Sequence, residues 1–207
     1  MTTTISLPHQ IGFYQWEGVN QVGLETGTLG GANVTTSEYA LFMIGTNDTL
    51  INTGAILNGD GNAAIGVRNA SSTIINQQGG TIQSFGGPYG NGVYSSNAVF
   101  ITNSGFISGS GVSSDKSGNA INIGGGFVSN TSTGTLTNAG VFMTGYGTVI
   151  NSGKIFGDSV YGGVALSTGG MVTNLDGGYI AASGAGYGVQ IKGGGTVTNA
   201  GEINGGS

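Results

Sequence analysis

The side chains that could carry out acid–base chemistry are few and scattered. The 207 residues include nine acidic residues, one histidine and no cysteine. The acidic residues are Glu17, Glu25, Glu38, Asp48, Asp60, Asp115, Asp158, Asp176 and Glu202. They fall at non-equivalent places in the sequence, whereas acid–base cleavage of a polysaccharide needs two carboxylates on one face. We therefore predict that the protein is not an enzyme.

Metal and cofactor sites are not predicted either. His9 has no second histidine with which to share a metal, and the lack of cysteine excludes thiolate ligands and disulfides. The segment Asp60-Gly61-Asn62 has the form of half a calcium turn, but the repeated Asp of calcium-binding nonapeptides is absent. No helical pattern follows the glycine runs at 124–126 and 193–195, so we interpret them as turns rather than phosphate loops. We expect neither a metal nor a cofactor.

Asparagine is the polar residue with regular spacing. It recurs at intervals of 24, 27, 27, 21, 23 and 25 residues. The seven positions are Asn52, Asn76, Asn103, Asn130, Asn151, Asn174 and Asn199. Asparagine tolerates left-handed backbone, and its amide both donates and accepts hydrogen bonds. We predict that these side chains stack as a structural ladder of amides; the alternative is a row of polar groups that bind a ligand.

Each asparagine belongs to a repeated unit with three aliphatic markers. Two residues before it stands an aliphatic residue: Leu50, Ile74, Ile101, Val128, Val149, Val172 and Val197. Further upstream, a small residue precedes a second aliphatic residue: Leu41, Ile65, Val93, Ile121, Val141, Val164 and Val189. Downstream, a Gly-x-aliphatic motif ends at Ile56, Ile82, Ile107, Leu136, Ile155, Ile180 and Ile203. Each unit therefore contains three short segments that alternate inward aliphatic and outward polar residues, as half-buried strands do.

A fixed period in this range is typical of a solenoid, whose units bury their apolar sides only by stacking on neighbours. Three short strands per unit predict an all-β fold, a right-handed parallel β-helix of about seven to eight coils. The link from the asparagine to the third strand also varies. The next aliphatic residue follows at the fourth position after Asn52, but at the sixth after Asn76, and this alternation continues along the chain. We expect the two extra residues to protrude on every second coil.

Three segments are predicted. Residues 1–18 do not fit the unit and contain Phe13 and the only tryptophan, Trp16, so we interpret them as an N-terminal cap that also carries His9. Residues 19–39 form a degenerate first coil in which Gly27-Thr28-Leu29 takes the Gly-x-aliphatic part. Residues 40–207 form the regular β-helix.

The C-terminal end of this β-helix has no aromatic cap in the sequence. We expect the final coil to expose its strand edges and the inward residues Val189, Ile191 and Val197. Either more coils follow in a longer protein, or the end docks on the N-terminal segment of another copy through Phe13 and Trp16. Such a head-to-tail contact gives an open filament when its rotation does not close.

The charge balance restricts the partners. Formally charged residues make up 6% of the chain, and its four basic residues are scattered at Arg68, Lys116, Lys154 and Lys192, which argues against nucleic acid and anionic membranes. No stretch approaches the roughly 18 apolar residues of a membrane-spanning helix. The N-terminus lacks the basic and apolar regions of a secretory signal peptide. We expect an extracellular or cell-surface protein whose export signal has been removed or whose export route is unconventional.

The unit Gly-Thr-Val-Thr-Asn-Ala-Gly-Glu-Ile-Asn-Gly at 195–205 resembles the repeats of bacterial autotransporter-type adhesins and related large surface β-helix proteins. The resemblance spans about 40–205 and implies display outside a Gram-negative cell as an adhesin, biofilm component or stalk. It favours a non-enzymatic structural or adhesive protein, with cell-surface carbohydrate or protein as a partner.

One alternative is a carbohydrate-binding or carbohydrate-cleaving β-helix similar to a phage tailspike. Another, an ice-binding solenoid, needs a regular Thr-x-Thr array, for which only Thr135-x-Thr137 and Thr196-x-Thr198 qualify.

The outward residues of the predicted strands form the surface of the protein. Outward positions of the second strands include apolar residues: Ile51, Ile75, Phe100, Phe127, Ile150 and Met171. Those of the first strands include Phe42, Tyr94 and Phe142 on alternate coils. Rows of this kind more often mark contact with another surface than single exposed apolar residues do.

Overall fold

The computed structural model describes residues 39–59, 62–85, 90–110 and 118–207, together with the backbone of four short strands before them. Strands β2 (Tyr14–Trp16), β5 (Leu41–Met43), β8 (Ile65–Val67), β11 (Val93–Ser95), β14 (Ile121–Ile123), β17 (Val141–Met143), β20 (Val164–Leu166) and β23 (Val189–Ile191) form sheet 1. Strands β1 (Thr2–Thr4), β3 (Gln21–Leu24), β6 (Thr49–Asn52), β9 (Ser72–Asn76), β12 (Ala98–Asn103), β15 (Gly125–Asn130), β18 (Gly147–Asn151), β21 (Gly169–Asn174) and β24 (Gly194–Asn199) form sheet 2. Strands β4 (Thr28–Leu29), β7 (Ala55–Asn58), β10 (Thr81–Ser84), β13 (Phe106–Ser108), β16 (Thr135–Thr137), β19 (Lys154–Gly157), β22 (Tyr179–Ala182) and β25 (Glu202–Asn204) form sheet 3.

Neighbouring strands in each sheet come from successive coils and run parallel, as in the step from β12 to β15. From Leu41 to Asn204 the chain passes seven times through sheets 1, 2 and 3 in that order, and β2, β3 and β4 add one layer before them. No helix occurs in the described part of the chain. The predicted β-solenoid with three strands per coil is therefore confirmed.

The predicted division of the N-terminal region stays a prediction. Strand β2 lies within the segment 1–18 and its backbone pairs with β5, while β3 and β4 lie within 19–39 and pair with β6 and β7. Phe13 and His9 lie outside the described residues, and for Trp16 only the backbone, which pairs with Met43, is described.

The core consists of vertical stacks of the predicted aliphatic residues. In sheet 2 the column that contains Ile101, Val128 and Val149 is buried from Leu50 to Val172, because period-2 alternation turns every second side chain inward. In sheet 3, Ile82, Ile107 and their counterparts from Ile56 to Ile180 form an equivalent buried column. Burying one such side chain stabilises the fold by about 1.5–3 kcal/mol. Coil stacking is thus the main source of stability.

The predicted alternation of long and short links between sheets 2 and 3 is confirmed. The asparagines and the third-strand aliphatic residues each stay in register, so the extra residues of the long links lie outside the strands. Each long link closes as a β-turn, in which the N–H of Gly80, Gly134 or Gly178 donates to a carbonyl three residues earlier at 2.8–2.9 Å. The residues at the tips of these turns are exposed. Gly79 has φ of 86° with nothing near its missing Cβ, so backbone conformation, not space, requires glycine there.

The glycine runs differ from the expected turns. Only the first glycine of each run lies between strands, since Gly125 and Gly126 begin β15, and β24 likewise begins within the second run. Gly126 has φ of 104°, and a Cβ there would lie 2.4 Å from the carbonyl oxygen of Val99 on the preceding coil. These glycines let successive coils approach closely where the chain enters sheet 2.

Candidate functional site

The seven predicted asparagines form one continuous ladder in the corner after sheet 2. The side-chain nitrogen of each of the first six donates to the Oδ1 of the asparagine one coil later, over distances of 2.7–2.9 Å. Six of the seven side chains are buried: Asn52, Asn76, Asn103, Asn130, Asn151 and Asn174. The predicted ladder is confirmed, and its hydrogen bonds all point in the same direction along the axis.

The same amides also bind the backbone at this corner. Asn151 Nδ2 donates to the Gly153 carbonyl of its own coil at 3.1 Å and to the Tyr179 carbonyl of the next coil at 3.3 Å. Its Oδ1 accepts from Asn130 Nδ2 and from the Gly153 N–H. The interior amides are therefore engaged within the coils, which disfavours the alternative of a row of ligand-binding groups.

The two ends of the ladder are incomplete. Asn52 Oδ1 is buried without a hydrogen-bond partner, and the residue in register with Asn52 on the preceding layer is Leu24, whose side chain has no donor group. At the other end Asn199 is exposed, and its Nδ2 donates only to the Gly201 carbonyl. The last coil thus lacks the acceptor that every earlier ladder nitrogen has.

A second, shorter set of asparagine contacts was not predicted. It lies where the chain enters sheet 1: Asn91 Oδ1 accepts from the N–H of Asn119 at 2.9 Å and from its Nδ2 at 3.4 Å. Asn138 Nδ2 donates to Ser108 Oγ and to the Gly109 carbonyl, and Asn58 Nδ2 donates to the Ala63 carbonyl. Both Asn91 and Asn119 stand two residues before a first strand, so a search for repeated polar residues at that position would have indicated them.

The titratable groups that the structure describes are dispersed over the coils. Among the described residues there is no group of three or more His, Asp or Glu side chains that would hold a metal ion. Asp60 and His9 lie outside the described residues. Asp48 is buried just before β6, and neither of its carboxylate oxygens makes a well-formed hydrogen bond. Burial raises the pKa of Asp48 and outweighs a lowering by the nearby N–H of Gly45.

The outer face of sheet 2 carries the predicted apolar residues in two columns. Phe100 pairs in register with Phe127, and both continue a column of Thr and Met, while Ile75 and Thr102 lie in the column beside it. Phe100 is exposed, and Phe127 and Ile75 are half-buried. From β6 to β24 the strands of this sheet contain no charged residue. The face is therefore uncharged and mixes hydroxyl groups with apolar groups.

The outer face of sheet 1 carries an aromatic cluster. Phe42, Gly66, Tyr94 and Asn122 follow one another in register on four successive coils. Tyr39, just before β5, stacks on Phe42 with ring centroids 4.9 Å apart and an angle of 13° between the planes. A Cβ on Gly66 would lie 2.7 Å from the Tyr39 ring, so the glycine provides the space in which this ring lies on the sheet.

A pocket opens beside this cluster. It has a volume of about 310 Å³ and is lined by Tyr39, Asn62, Asn91, Tyr94 and Asn122. None of these side chains is charged. Tyr94 was predicted from sequence as an outward residue. The other lining residues were not predicted, because they come from four different coils and the segments between them vary in length. We call this feature the Tyr–Asn pocket.

The last coil also exposes apolar side chains to solvent. Val197 is 47% exposed, whereas Val172, its counterpart in register one coil earlier, is fully buried. Val189, Ile191 and Ile203 pack against the core but are only partly buried. The predicted exposure of the final coil is therefore present in this chain.

The described residues contain no helix of the length and hydrophobicity that crosses a membrane. Comparison with protein-family models, curated proteins and solved structures finds no match to this chain.

Proposed function

We propose that this chain is a non-enzymatic, structural or adhesive β-helix of the extracellular space or cell surface, and that copies of it join end to end. The observation that carries the proposal is the contrast between Val197, which is 47% exposed, and Val172, which is fully buried at the same position of the preceding coil. A column of core side chains that ends in solvent is stabilised by any layer that covers it.

The strand edges support an end-to-end contact. Strands β23, β24 and β25 are the outermost strands of the three sheets at one end, and β2, β1 and β4 are the outermost strands at the other. All run in the same direction within their sheets, so the N-terminal layer of one copy would extend the last coil of another by parallel pairing. The N-terminal segment with Phe13 and Trp16 is the docking partner we propose. The contact is heterologous, and repetition of it gives a filament.

A role in contact rather than catalysis is supported by the surface. From β6 to β24 the outer face of sheet 2 is uncharged and exposes Phe100 and Met171 among threonines, and exposed apolar residues grouped on one face are typical of surfaces that bind other surfaces. The resemblance of the repeat to bacterial adhesin-type proteins agrees with this role.

The competing proposal is that this β-helix cleaves carbohydrate. Release of new reducing or unsaturated ends from polysaccharides incubated with the protein would overturn the non-enzymatic part of the proposal.

Sedimentation velocity over a series of concentrations tests the assembly. Val197→Lys places a charge on the uncovered core of the last coil, and Val160→Lys is the matched control, since Val160 is a valine of similar exposure, 43%, in a side loop. We expect the unsubstituted protein and Val160→Lys to form larger species as concentration rises, and Val197→Lys to remain monomeric. A monomer at every concentration, or equal assembly of the two variants, contradicts the proposal.

A further inference from the structure

We propose that the Tyr–Asn pocket binds a neutral saccharide, one or two sugar rings in size. This inference deepens the adhesive part of the proposed function by naming a ligand class, and it rests on that function but not on end-to-end assembly.

The aromatic side of the pocket is built in advance. The Tyr39 ring is fixed between its parallel stack on Phe42 and the backbone of Gly66, and Tyr94 stands on the next coil at 38% exposure. An aromatic ring face packs against apolar C–H groups, and the C–H face of a sugar ring is such a group. The exposed Tyr94 ring is the one on which a sugar can stack. Because Tyr39 is already held in place beside it, little conformational entropy is lost at Tyr39 when a ligand binds.

The polar side of the pocket matches hydroxyl groups. Asn122 is half-buried in register with Tyr94, and in the described part of the chain its side chain makes no hydrogen bond, so its amide can both donate and accept. A sugar hydroxyl also both donates and accepts, so one amide can bind two neighbouring hydroxyls. Burial, with a smaller contribution from Tyr94, raises the pKa of Tyr39, so its phenol stays protonated and can donate as well.

The size and charge of the pocket narrow the ligand class. About 310 Å³ is at the lower end of the roughly 300–1,000 Å³ of small-molecule pockets, which suits a mono- or disaccharide unit. Among the lining residues that the structure describes none is basic, and the chain as a whole carries a formal charge of −5, so these side chains offer no counter-charge to uronates, sulfated sugars or phosphates. None of the described lining residues is a carboxylate, so these five side chains supply no acid–base pair for cleavage.

Ligand-observed NMR and isothermal titration calorimetry with cellobiose, maltose, N,N′-diacetylchitobiose and an oligogalacturonate test the inference. We expect at least one neutral sugar to bind with a dissociation constant at or below ~10 mM, tighter than the oligogalacturonate. Tyr94→Ala and Asn122→Ala should each weaken binding by about tenfold or more, because each removes a stacking or hydrogen-bonding group. Tyr146→Ala is the control, since Tyr146 is a 68% exposed tyrosine outside the pocket.

Equal melting temperatures of these variants show that a loss of binding is not a loss of fold. Repeating the titration with Val197→Lys separates the two proposals, because a monomeric variant should bind the sugar unchanged. Three outcomes overturn the inference: no binding of any neutral sugar, tighter binding of the oligogalacturonate, or binding that Tyr94→Ala and Asn122→Ala leave unaltered.

Discussion

Asn103 donates its side-chain amide to Oδ1 of Asn130 at 2.8 Å, across 27 residues of sequence and one step of the β-helix. Both side chains are buried, and the contact repeats on every coil from Asn52 to Asn199. The column donates to backbone carbonyls at the corner where the sheet 2 strands end. It therefore adds side-chain hydrogen bonds between coils to the backbone hydrogen bonds that cross the same corner, such as that from the Thr131 N–H to the Asn103 carbonyl.

Replacement of Asn151 by alanine should destabilise the fold by about 1–3 kcal/mol, because it removes the buried hydrogen bonds of the Asn151 amide to Asn130 Nδ2, to Asn174 Oδ1 and to the Gly153 backbone. The free energy of unfolding from urea titration measures this effect. Asn199→Ala is the control: Asn199 is exposed, so its loss should cost less than about 1 kcal/mol. Equal losses in both variants would mean that burial in the ladder contributes nothing.

Replacement of Val172 by aspartate should cost on the order of 4 kcal/mol or abolish folding, since it puts an unpaired charge into a fully buried aliphatic column. Thr173→Asp, one residue later on the outward side of β21, should lower the melting temperature only slightly. Thermal melting followed by circular dichroism compares the two. A similar loss in both would contradict the inward register of sheet 2.

Removal of Gln78 and Gly79 should be tolerated. The deletion converts a long link into the form of the short link at Ser104 and Gly105, and the strands on both sides keep their register. We expect a loss of less than about 1 kcal/mol. Deletion of Gln78 alone should be far more damaging, because a shift of one residue turns Ile82 away from the core. Urea titrations in which the single deletion is the milder change would refute this account of the links.

Replacement of Asp48 by asparagine should stabilise the protein at neutral pH. The folded-state pKa of Asp48 lies above its unfolded value, so the carboxyl favours folding while it is protonated and loses that contribution as pH rises through the folded-state pKa. The melting temperature of Asp48→Asn should therefore exceed that of the unsubstituted protein at pH 7. The difference should shrink as pH falls toward 4, the region of the ordinary value of 3.8.

Asp176→Asn is the control for this pH series, because Asp176 is exposed at the tip of a long link. A melting temperature for Asp48→Asn that is lower than that of the unsubstituted protein at pH 7 would show that the carboxylate is stabilised in the fold. A gain that does not change with pH would assign the effect to something other than ionisation.

The fold could be predicted from sequence because its signal repeats. Val128 or Ile101 alone does not identify a strand. An aliphatic residue two positions before each of seven asparagines identifies the second strand, its register and the coil to which it belongs. The asparagine ladder could be predicted for the same reason. The Tyr–Asn pocket could not be predicted, since it joins Tyr39 from outside the repeat with Asn62 and Asn91 from links of unequal length. Asp48 was likewise seen only as one scattered acid, because its burial depends on a corner specific to one coil.

Cross-linking between single-cysteine variants tests end-to-end joining most directly, since the chain has no cysteine of its own. Thr4 of β1 and Thr198 of β24 occupy the same column of sheet 2, at its two ends. If copies join head to tail, a short bismaleimide should couple Thr4→Cys protein to Thr198→Cys protein in a mixture, and neither variant should couple to itself or to the Tyr146→Cys control. Coupling of Thr198→Cys to itself would indicate tail-to-tail pairing, and no coupling above the control would show that the last coil does not bind another copy; either result contradicts the account.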